Sequence, residues 1–110
     1  MPMQNGLYKL QFHTAIGAGS GVVMLQDGQL WGGDSGLYYV GSYEVRGNAL
    51  SARLRTDRHS NLGQVQSVLG IDQATIALEG DARDNAAAMT GTAREVPGVT
   101  LQAHLSRICS

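Results

Sequence analysis

Hydrophobic and polar residues alternate with a period of two along most of this chain. The first run places Tyr8, Leu10 and Phe12 on one face, with polar side chains between them. A later run, 50–56, alternates in the same way. Alternation over several residues is typical of β-strands that bury one face and expose the other. The pattern therefore predicts a chain built almost entirely of β-strands.

Turn signals divide this pattern into eight strands. Asp27-Gly28 is typical of a two-residue type I′ hairpin, because both of its positions need a positive φ. Residues 46–48 and 84–85 predict further tight turns, and residues 97–98 predict the turn before the last strand. The glycine-rich residues 15–19 are interpreted as a flexible connection. The predicted strands are 7–13, 21–26, 29–31, 37–45, 50–56, 74–80, 87–93 and 99–105.

Most of these connections are short, which favours sequential antiparallel pairing. Closing such a sheet into a barrel removes its exposed edges. We therefore expect an all-β fold, an eight-stranded antiparallel meander barrel in which residues 1–110 form one domain. The exception is one long loop near 57–72, which breaks the alternation and has room for a short helix at 65–69.

Glycine is unusually frequent in this chain. It supplies 15 of the 110 residues, about twice its usual share. Glycine inside a strand often marks a bulge, a bend or a close backbone approach. Small barrels need such bends to close. We therefore interpret the glycines within strands as closure points: Gly21, Gly41, Gly80 and Gly91.

Charge and cysteine content exclude several classes of protein. A formal net charge of −1 lacks the basic surface typical of nucleic-acid binding. The longest apolar run, 22–25, is far shorter than the ~20 residues of a membrane span. Cys109 is the only cysteine, so no intrachain disulfide can form. Residues 1–6 lack the features of a signal peptide, so we expect a cytoplasmic protein with no nucleic-acid or membrane partner.

Few residues offer catalytic chemistry. His104 is out of phase with the apolar residues of the last strand and should face outward. His59 and His13 lack a catalytic partner nearby in sequence, and Cys109 stands beside a terminus that frays. We therefore predict that the protein is not an enzyme and has no catalytic residues, metal site or cofactor. The alternative is a haem-binding or enzymatic barrel that uses His104 or His59.

Arginines are concentrated around the fifth strand. Arg53, Arg55 and Arg58 are predicted to share one outer surface, with Arg46 at the start of the same hairpin. The simplest interpretation is a solvated barrel face. The alternatives are binding of an acidic partner and binding of nucleic acid, although no stacking aromatic residues are interleaved with these arginines.

The inward-facing positions predict the composition of the barrel interior. Several are small, among them Ala52, Gly91 and Ala103. An eight-stranded barrel is either filled by side chains or holds one small ligand. The small residues therefore predict either an apolar cavity or a tightly closed barrel. The expected lining is Tyr8, Leu10, Phe12, Val23, Leu25, Leu50, Leu54, Ile76, Leu78, Met89, Leu101 and Leu105.

The second strand is apolar on both faces. Its inward-facing residues can pack inside the barrel, but Val22 and Met24 face outward and need a different surface to bury them. An apolar outer face is typical of an interface. We therefore predict that Val22 and Met24 lie at the interface of a homodimer, with burial under the long loop as the alternative.

Four short motifs are spread along the chain: Gly6-Leu7-Tyr8, Gly32-Gly33-Asp34, Tyr39-x-Gly41 and Arg58-His59. Together they resemble the GrlR-like family, small negative regulators of type III secretion and their bacterial homologues. The resemblance spans nearly the whole chain. It implies a lipocalin-like or calycin-like barrel with an apolar interior, a loop that plugs one end, and a homodimer formed through barrel faces.

The same resemblance implies a regulatory partner. The regulators of that family hold a transcriptional activator through an acidic run in the turn after the Tyr-x-Gly strand. The matching residues here, 44–48, contain one acid and one base, so this partner site departs from the family pattern. We therefore expect a non-enzymatic, regulator-like barrel that binds a protein partner, a small apolar ligand or both. The alternative is a lipid-binding lipocalin-like protein without a regulatory role.

Overall fold

All eight predicted strands are present, and each pairs antiparallel with the next along the chain. The computed structural model describes residues 3–61 and 67–110. Because the last strand also pairs with the first, the sheet closes into a barrel, which confirms the predicted fold class. The strands are β1 Gly6–Thr14, β2 Gly17–Gln26, β3 Gln29–Gly33, β4 Leu37–Arg46, β5 Ala49–Arg58, β6 Ala74–Arg83, β7 Ala86–Ala93 and β8 Val96–Cys109.

Two hairpin turns are formed by consecutive residues with positive φ. Asp27 and Gly28 have φ values of 51° and 86°, as the type I′ prediction requires. Asp84 and Asn85 form the equivalent turn between β6 and β7, with φ values of 54° and 60°. Aspartate and asparagine tolerate this region better than other side chains, which explains their presence at both turns.

The prediction of a flexible connection at 15–19 was wrong. Only residues 15–16 form the turn, and Gly17–Gln26 is a continuous strand paired with β1. A strand segment of small residues has no alternating apolar face, so its pattern did not predict a strand. A Cβ on Gly19 would lie 2.8 Å from Cε2 of Phe12, because the Phe12 ring covers this glycine across the pair. The ring thus supplies the packing that Gly19 lacks.

The prediction of a turn at 97–98 was also wrong. The β7–β8 turn lies at residues 94–95, and β8 already begins at Val96. Pro97 and Gly98 fall where the register between β7 and β8 shifts, between the pairs Gly91 with Leu101 and Ala93 with Val96. Proline lacks a backbone N–H and is tolerated at such an irregularity.

Inward-facing glycines bring neighbouring strands close together. A Cβ on Gly91 would lie less than 3.0 Å from the backbone of Ala77 and Leu78 on β6. A Cβ on Gly80 would meet the backbone of Ala88 and Met89 at similarly short range. These positions therefore require glycine for a close backbone approach, as the closure interpretation predicted. Gly32 and Gly41 show the same property on β3 and β4.

The two ends of the barrel are covered by different segments. At the end that holds the start of β1, the buried Met3 packs into the core and Tyr8 is fully buried. The Tyr8 hydroxyl donates a hydrogen bond of 2.6 Å to the Gln4 carbonyl oxygen. At the opposite end, Val68 and Leu69 are buried against the core.

Val68 and Leu69, which cover this second end, belong to the long connection between β5 and β6. Its described parts, 59–61 and 67–73, contain no helix. Residues 65–66 of the predicted short helix lie outside the described residues. Across 3–61 and 67–110, no helix is long and apolar enough to cross a membrane.

Candidate functional site

The barrel contains two adjacent, partly open spaces along its axis. The larger has a volume of about 130 Å³ and lies beneath residues Ser67, Val68 and Leu69. The smaller has a volume of about 40 Å³ and lies deeper, towards the start of β1. Their shared walls are formed by Leu10, Tyr39, Leu54 and Leu78.

The larger cavity is apolar in its depth and polar at its rim. Apolar side chains from β1, β4, β5, β6 and β8 form its walls. Ala18, Ser20 and Ser35 lie at its rim and are exposed. Asp34 and Tyr39 line the same end of the cavity. The apolar wall residues are Leu10, Phe12, Leu37, Leu54, Val68, Leu69, Ile76, Leu78, Leu101 and Ala103.

Most of the predicted lining residues form the walls of these two spaces. Leu10, Leu54 and Leu78 line both spaces. Tyr8 lines neither, since it is fully buried at the other end of the barrel, beside Gln4. The larger space is also lined by Phe12, Ile76 and Leu101, and the smaller by Val23, Leu25, Leu50, Met89 and Leu105.

Asp34 organises the polar rim. Its Oδ1 accepts hydrogen bonds from the backbone N–H groups of Gly36 and Leu37, both at 2.8 Å. Its Oδ2 accepts a hydrogen bond from the Tyr39 hydroxyl. The carboxylate therefore fixes the corner between β3 and β4 and orients Tyr39 within the cavity wall. Aspartate is common in turns because its side chain bonds to nearby backbone N–H groups.

Burial raises the pKa of Tyr39 above its usual value, and the hydrogen bond and negative charge of Asp34 add to this effect. Tyr39 is only 4% exposed, so the phenolate form would lose most of its hydration. The neutral phenol is therefore the form that this wall stabilises.

We expect this raised pKa to make the folded state sensitive to alkali. Below pH ~10 both the folded and the unfolded chain keep Tyr39 neutral, and its contribution to stability is fully present. Above that pH the unfolded chain ionises first, so the free energy of unfolding falls, by at most about 1.4 kcal/mol per pH unit for this one group. Urea unfolding from pH 8 to pH 11.5 should show a smaller decline for Tyr39→Phe than for the unchanged protein. Parallel declines would contradict this assignment.

His59 contributes to the same corner. Its ring Nε2 lies 2.9 Å from the Asp34 carbonyl oxygen and donates to it, because a carbonyl can only accept. Its backbone N–H donates to the Gly36 carbonyl oxygen at 2.9 Å. The exposed His59 thus connects the start of the long connection to the β3–β4 corner.

The other candidate reactive residues lie apart from the cavity. His13 and His104 are exposed on β1 and β8, and Cys109 is exposed at the end of β8. The outward position of His104 is the one that its phase predicted. Among the described residues, no group of three His, Cys, Asp or Glu side chains lies close enough to hold a metal ion.

The prediction that Arg58 shares an outer face with Arg53 and Arg55 was wrong. Arg53 and Arg55 are exposed on β5, but the Arg58 side chain is 20% exposed and binds Asp72 through Nε and Nη2, at 3.0 and 2.8 Å. Arg58 follows the outward-facing Asp57, so alternation turns it to the other side. Its hydrogen bonds lower the pKa of the Asp72 carboxyl and anchor the long connection to β5. Arg46 pairs with Glu44 on the exposed face at the end of β4.

Sequence reasoning missed the role of Asp34 and Tyr39 as a pair. Both residues were noted, but in separate motifs. The available signal was an aspartate directly before a tight Ser-Gly corner, which predicts side-chain hydrogen bonds to the backbone. No protein-family model matches this sequence, and no curated protein is significantly similar to it.

Proposed function

We propose that this protein binds a small apolar molecule inside its barrel. The observation that carries the proposal is the cavity of about 130 Å³, whose walls consist mainly of leucine, isoleucine, valine and phenylalanine side chains. An engineered apolar cavity of about 150 Å³ in another protein stays dry and takes up benzene. The comparison supports a ligand the size of one aromatic ring, rather than a long acyl chain.

The polar rim supports a binding role more than a catalytic one. Its carboxylate accepts hydrogen bonds from two backbone N–H groups and a buried phenol, which hold it in place as a fixed acceptor at the rim. Catalysis by a general base needs that group within hydrogen-bond reach of the proton it removes. Here these contacts position a wall of the cavity. The lipid-binding and enzymatic alternatives of the sequence analysis are therefore less well supported than a small-ring ligand.

Filling the cavity from its wall should abolish this binding. Ala103 is 1% exposed and lines the larger space, so Ala103→Leu places three further carbon atoms in it. We expect the free energy of unfolding to change by less than about 1 kcal/mol, because unoccupied space receives the side chain. Toluene should raise the melting temperature of the unchanged protein and leave that of Ala103→Leu unchanged.

Ala88→Leu is the matched control for this experiment. Ala88 is exposed on β7 and makes no part of either cavity wall. Toluene should raise the melting temperature of Ala88→Leu as much as that of the unchanged protein. Equal responses from all three proteins would show that toluene binds elsewhere, and the proposal would be wrong. Native mass spectrometry of gently purified protein would identify a natural ligand.

The outer face of β2, β3 and β4 favours a second function, self-association. Val22, Trp31 and Tyr38 are 43%, 45% and 40% exposed there. The register places Met24 beside Trp31 and Val22 beside Gly33, so the protruding indole lies next to a position without a side chain. This surface, the β2–β4 face, consists of Val22, Met24, Trp31, Gly33, Tyr38 and Val40.

A second copy of the chain is the partner that we propose for the β2–β4 face. A two-fold axis perpendicular to the strands would place each Trp31 over Gly33 of the other copy. Two-fold interfaces use one patch twice, so each indole would pack on the apolar face of the other copy. We therefore propose a homodimer through this face, as the prediction for Val22 and Met24 anticipated. Binding of a transcriptional activator, and a regulatory role in type III secretion, stay predictions from the resemblance alone.

Met24→Glu tests the dimer. The half-buried Met24 lies beside Trp31 on the β2–β4 face, where the proposed interface would bury one glutamate of each copy away from water. Light scattering should give the mass of a dimer for the unchanged protein and of a monomer for Met24→Glu. His104→Glu, on the exposed face of β8, should remain dimeric. An unchanged mass for Met24→Glu would refute the proposed interface.

A cytoplasmic location is part of this proposal. Its support is the single cysteine, Cys109, which is exposed and has no intrachain partner for a disulfide.

A further inference from the structure

The larger cavity is electrostatically asymmetric. Among the described residues that line it, Asp34 is the one charged side chain, and it lies at the rim rather than in the depth. The sequence of residues 62–66 adds no charged side chain to the long connection. A ligand that enters from the rim therefore meets a negative charge at one end and hydrocarbon at the other.

Two hydroxyl groups in the cavity lining donate their hydrogen bonds to acceptors within the protein. The Tyr39 hydroxyl donates to Asp34, and the Thr56 hydroxyl donates to the Asp72 carbonyl oxygen at 2.8 Å. Towards a ligand these oxygens offer lone pairs, as does Asp34, whose carboxylate has about four acceptor sites. Three of these sites hold the bonds from Gly36, Leu37 and Tyr39.

The neighbouring cation, Arg58, forms its ion pair with Asp72 and not with Asp34. Arg58 acts on Asp34 electrostatically, but its guanidinium is bonded through two nitrogens to the Asp72 carboxylate. Its Nη1 also donates to the Ser60 carbonyl oxygen at 3.1 Å. The pair that Arg58 forms with Asp72 has no net charge, which leaves the charge of Asp34 at the rim.

From this arrangement we infer that the cavity selects a small ring that carries a hydrogen-bond donor, an amine or an alcohol, and rejects the corresponding carboxylate. The ring occupies the apolar depth, and the donor group faces Asp34 and Tyr39. The inference rests on the proposed function and adds the chemical class of the ligand. A carboxylate at the same place would put two negative charges side by side in a partly water-excluded rim, where like charges repel strongly.

Four ligands of nearly equal size test binding of the ring and selection of its polar group separately. Toluene, benzyl alcohol, benzylamine and benzoate share one ring and differ only in the group at its end. We expect benzylamine to bind at least tenfold more tightly than benzoate at pH 7.5, measured by isothermal titration or by NMR line shifts. A purely apolar cavity disfavours both ions, so this ratio depends on the charge at the rim and not on the ring.

Asp34→Asn provides the test at the residue itself. Asparagine keeps an acceptor oxygen for the Gly36 and Leu37 N–H groups and removes the charge. The ratio of benzylamine to benzoate affinity should fall towards one, and a toluene titration of the same variant measures any accompanying change in ring binding. Because Asp34→Asn can disturb the corner, Ser35→Lys offers a second variant at an exposed rim position, and it should lower the same ratio.

The results distinguish a failure of the proposed selectivity from a failure of the proposed binding function. If none of the four ligands binds, the proposed function is wrong. If toluene binds and benzoate binds as tightly as benzylamine, the function stands and the inference is overturned. A ratio that survives both Asp34→Asn and Ser35→Lys also overturns it, since the selectivity would then originate elsewhere.

Discussion

Gly91→Ala is expected to destabilise the barrel by about 3 kcal/mol or more, a large share of the 5–15 kcal/mol that stabilises a typical domain. The added Cβ would lie less than 3.0 Å from backbone atoms of Ala77 and Leu78 on the paired strand. Backbone in a closed sheet cannot move aside as a flexible side chain does. The strand β7 would have to separate from β6, and hydrogen bonds of the ladder would be lost.

Gly98→Ala is the matched control for this prediction. Gly98 lies on β8, one strand further along, and a Cβ there would have no neighbouring atom within 4 Å. Its φ also lies outside the left-handed region, so alanine is free of backbone strain there. The free energy of unfolding of Gly98→Ala should differ from that of the unchanged protein by less than about 0.5 kcal/mol. Urea unfolding of both variants measures the difference, and equal stabilities would contradict the closure role of Gly91.

Leu78→Ala is expected to have the second large effect. Leu78 is 5% exposed and forms part of the wall of both cavities. Removing its side chain deletes buried carbon atoms and joins the two spaces, a change that costs about 2–5 kcal/mol at comparable sites. Ile108→Ala, at a position that is 55% exposed, should cost less than about 1 kcal/mol.

The same variant should bind apolar ligands more strongly. A ligand that binds only the folded state adds stability according to its concentration relative to its Kd. Saturating toluene should therefore restore more stability to Leu78→Ala than to the unchanged protein, because the joined cavity offers more room. A small loss of stability, or an equal toluene effect in both proteins, would show that Leu78 does not separate two spaces.

The period-two pattern was sufficient to predict the strands and most of the interior. Alternation assigns a face to each residue, and in a closed barrel one face is necessarily the inside. Leu10, Leu54 and Leu78 could therefore be placed in the cavity wall from sequence. The pattern failed for residues 17–19, where small side chains carry no alternation, and at Pro97, where the shift in register has no local signal.

The polar rim could not be predicted because it depends on closure. Asp34 belongs to a corner between two strands, whereas Val68 belongs to the long connection that covers the barrel. Only the closed sheet brings both to the same end of the cavity. The inward position of Tyr39 was available from alternation, but its hydrogen bond to Asp34 required the geometry of the corner.

Methyl NMR with labelled isoleucine tests the central claim, ligand binding inside the barrel, most directly. The chain has four isoleucines: Ile76 lines the larger cavity, Ile71 packs at the edge of the core, and Ile16 and Ile108 are exposed. During a toluene titration the δ1-methyl signal of Ile76 should shift and reach saturation, while those of Ile16 and Ile108 stay constant. An Ile76 signal that does not move, or that moves in proportion to toluene together with the exposed methyl groups, would contradict a binding cavity.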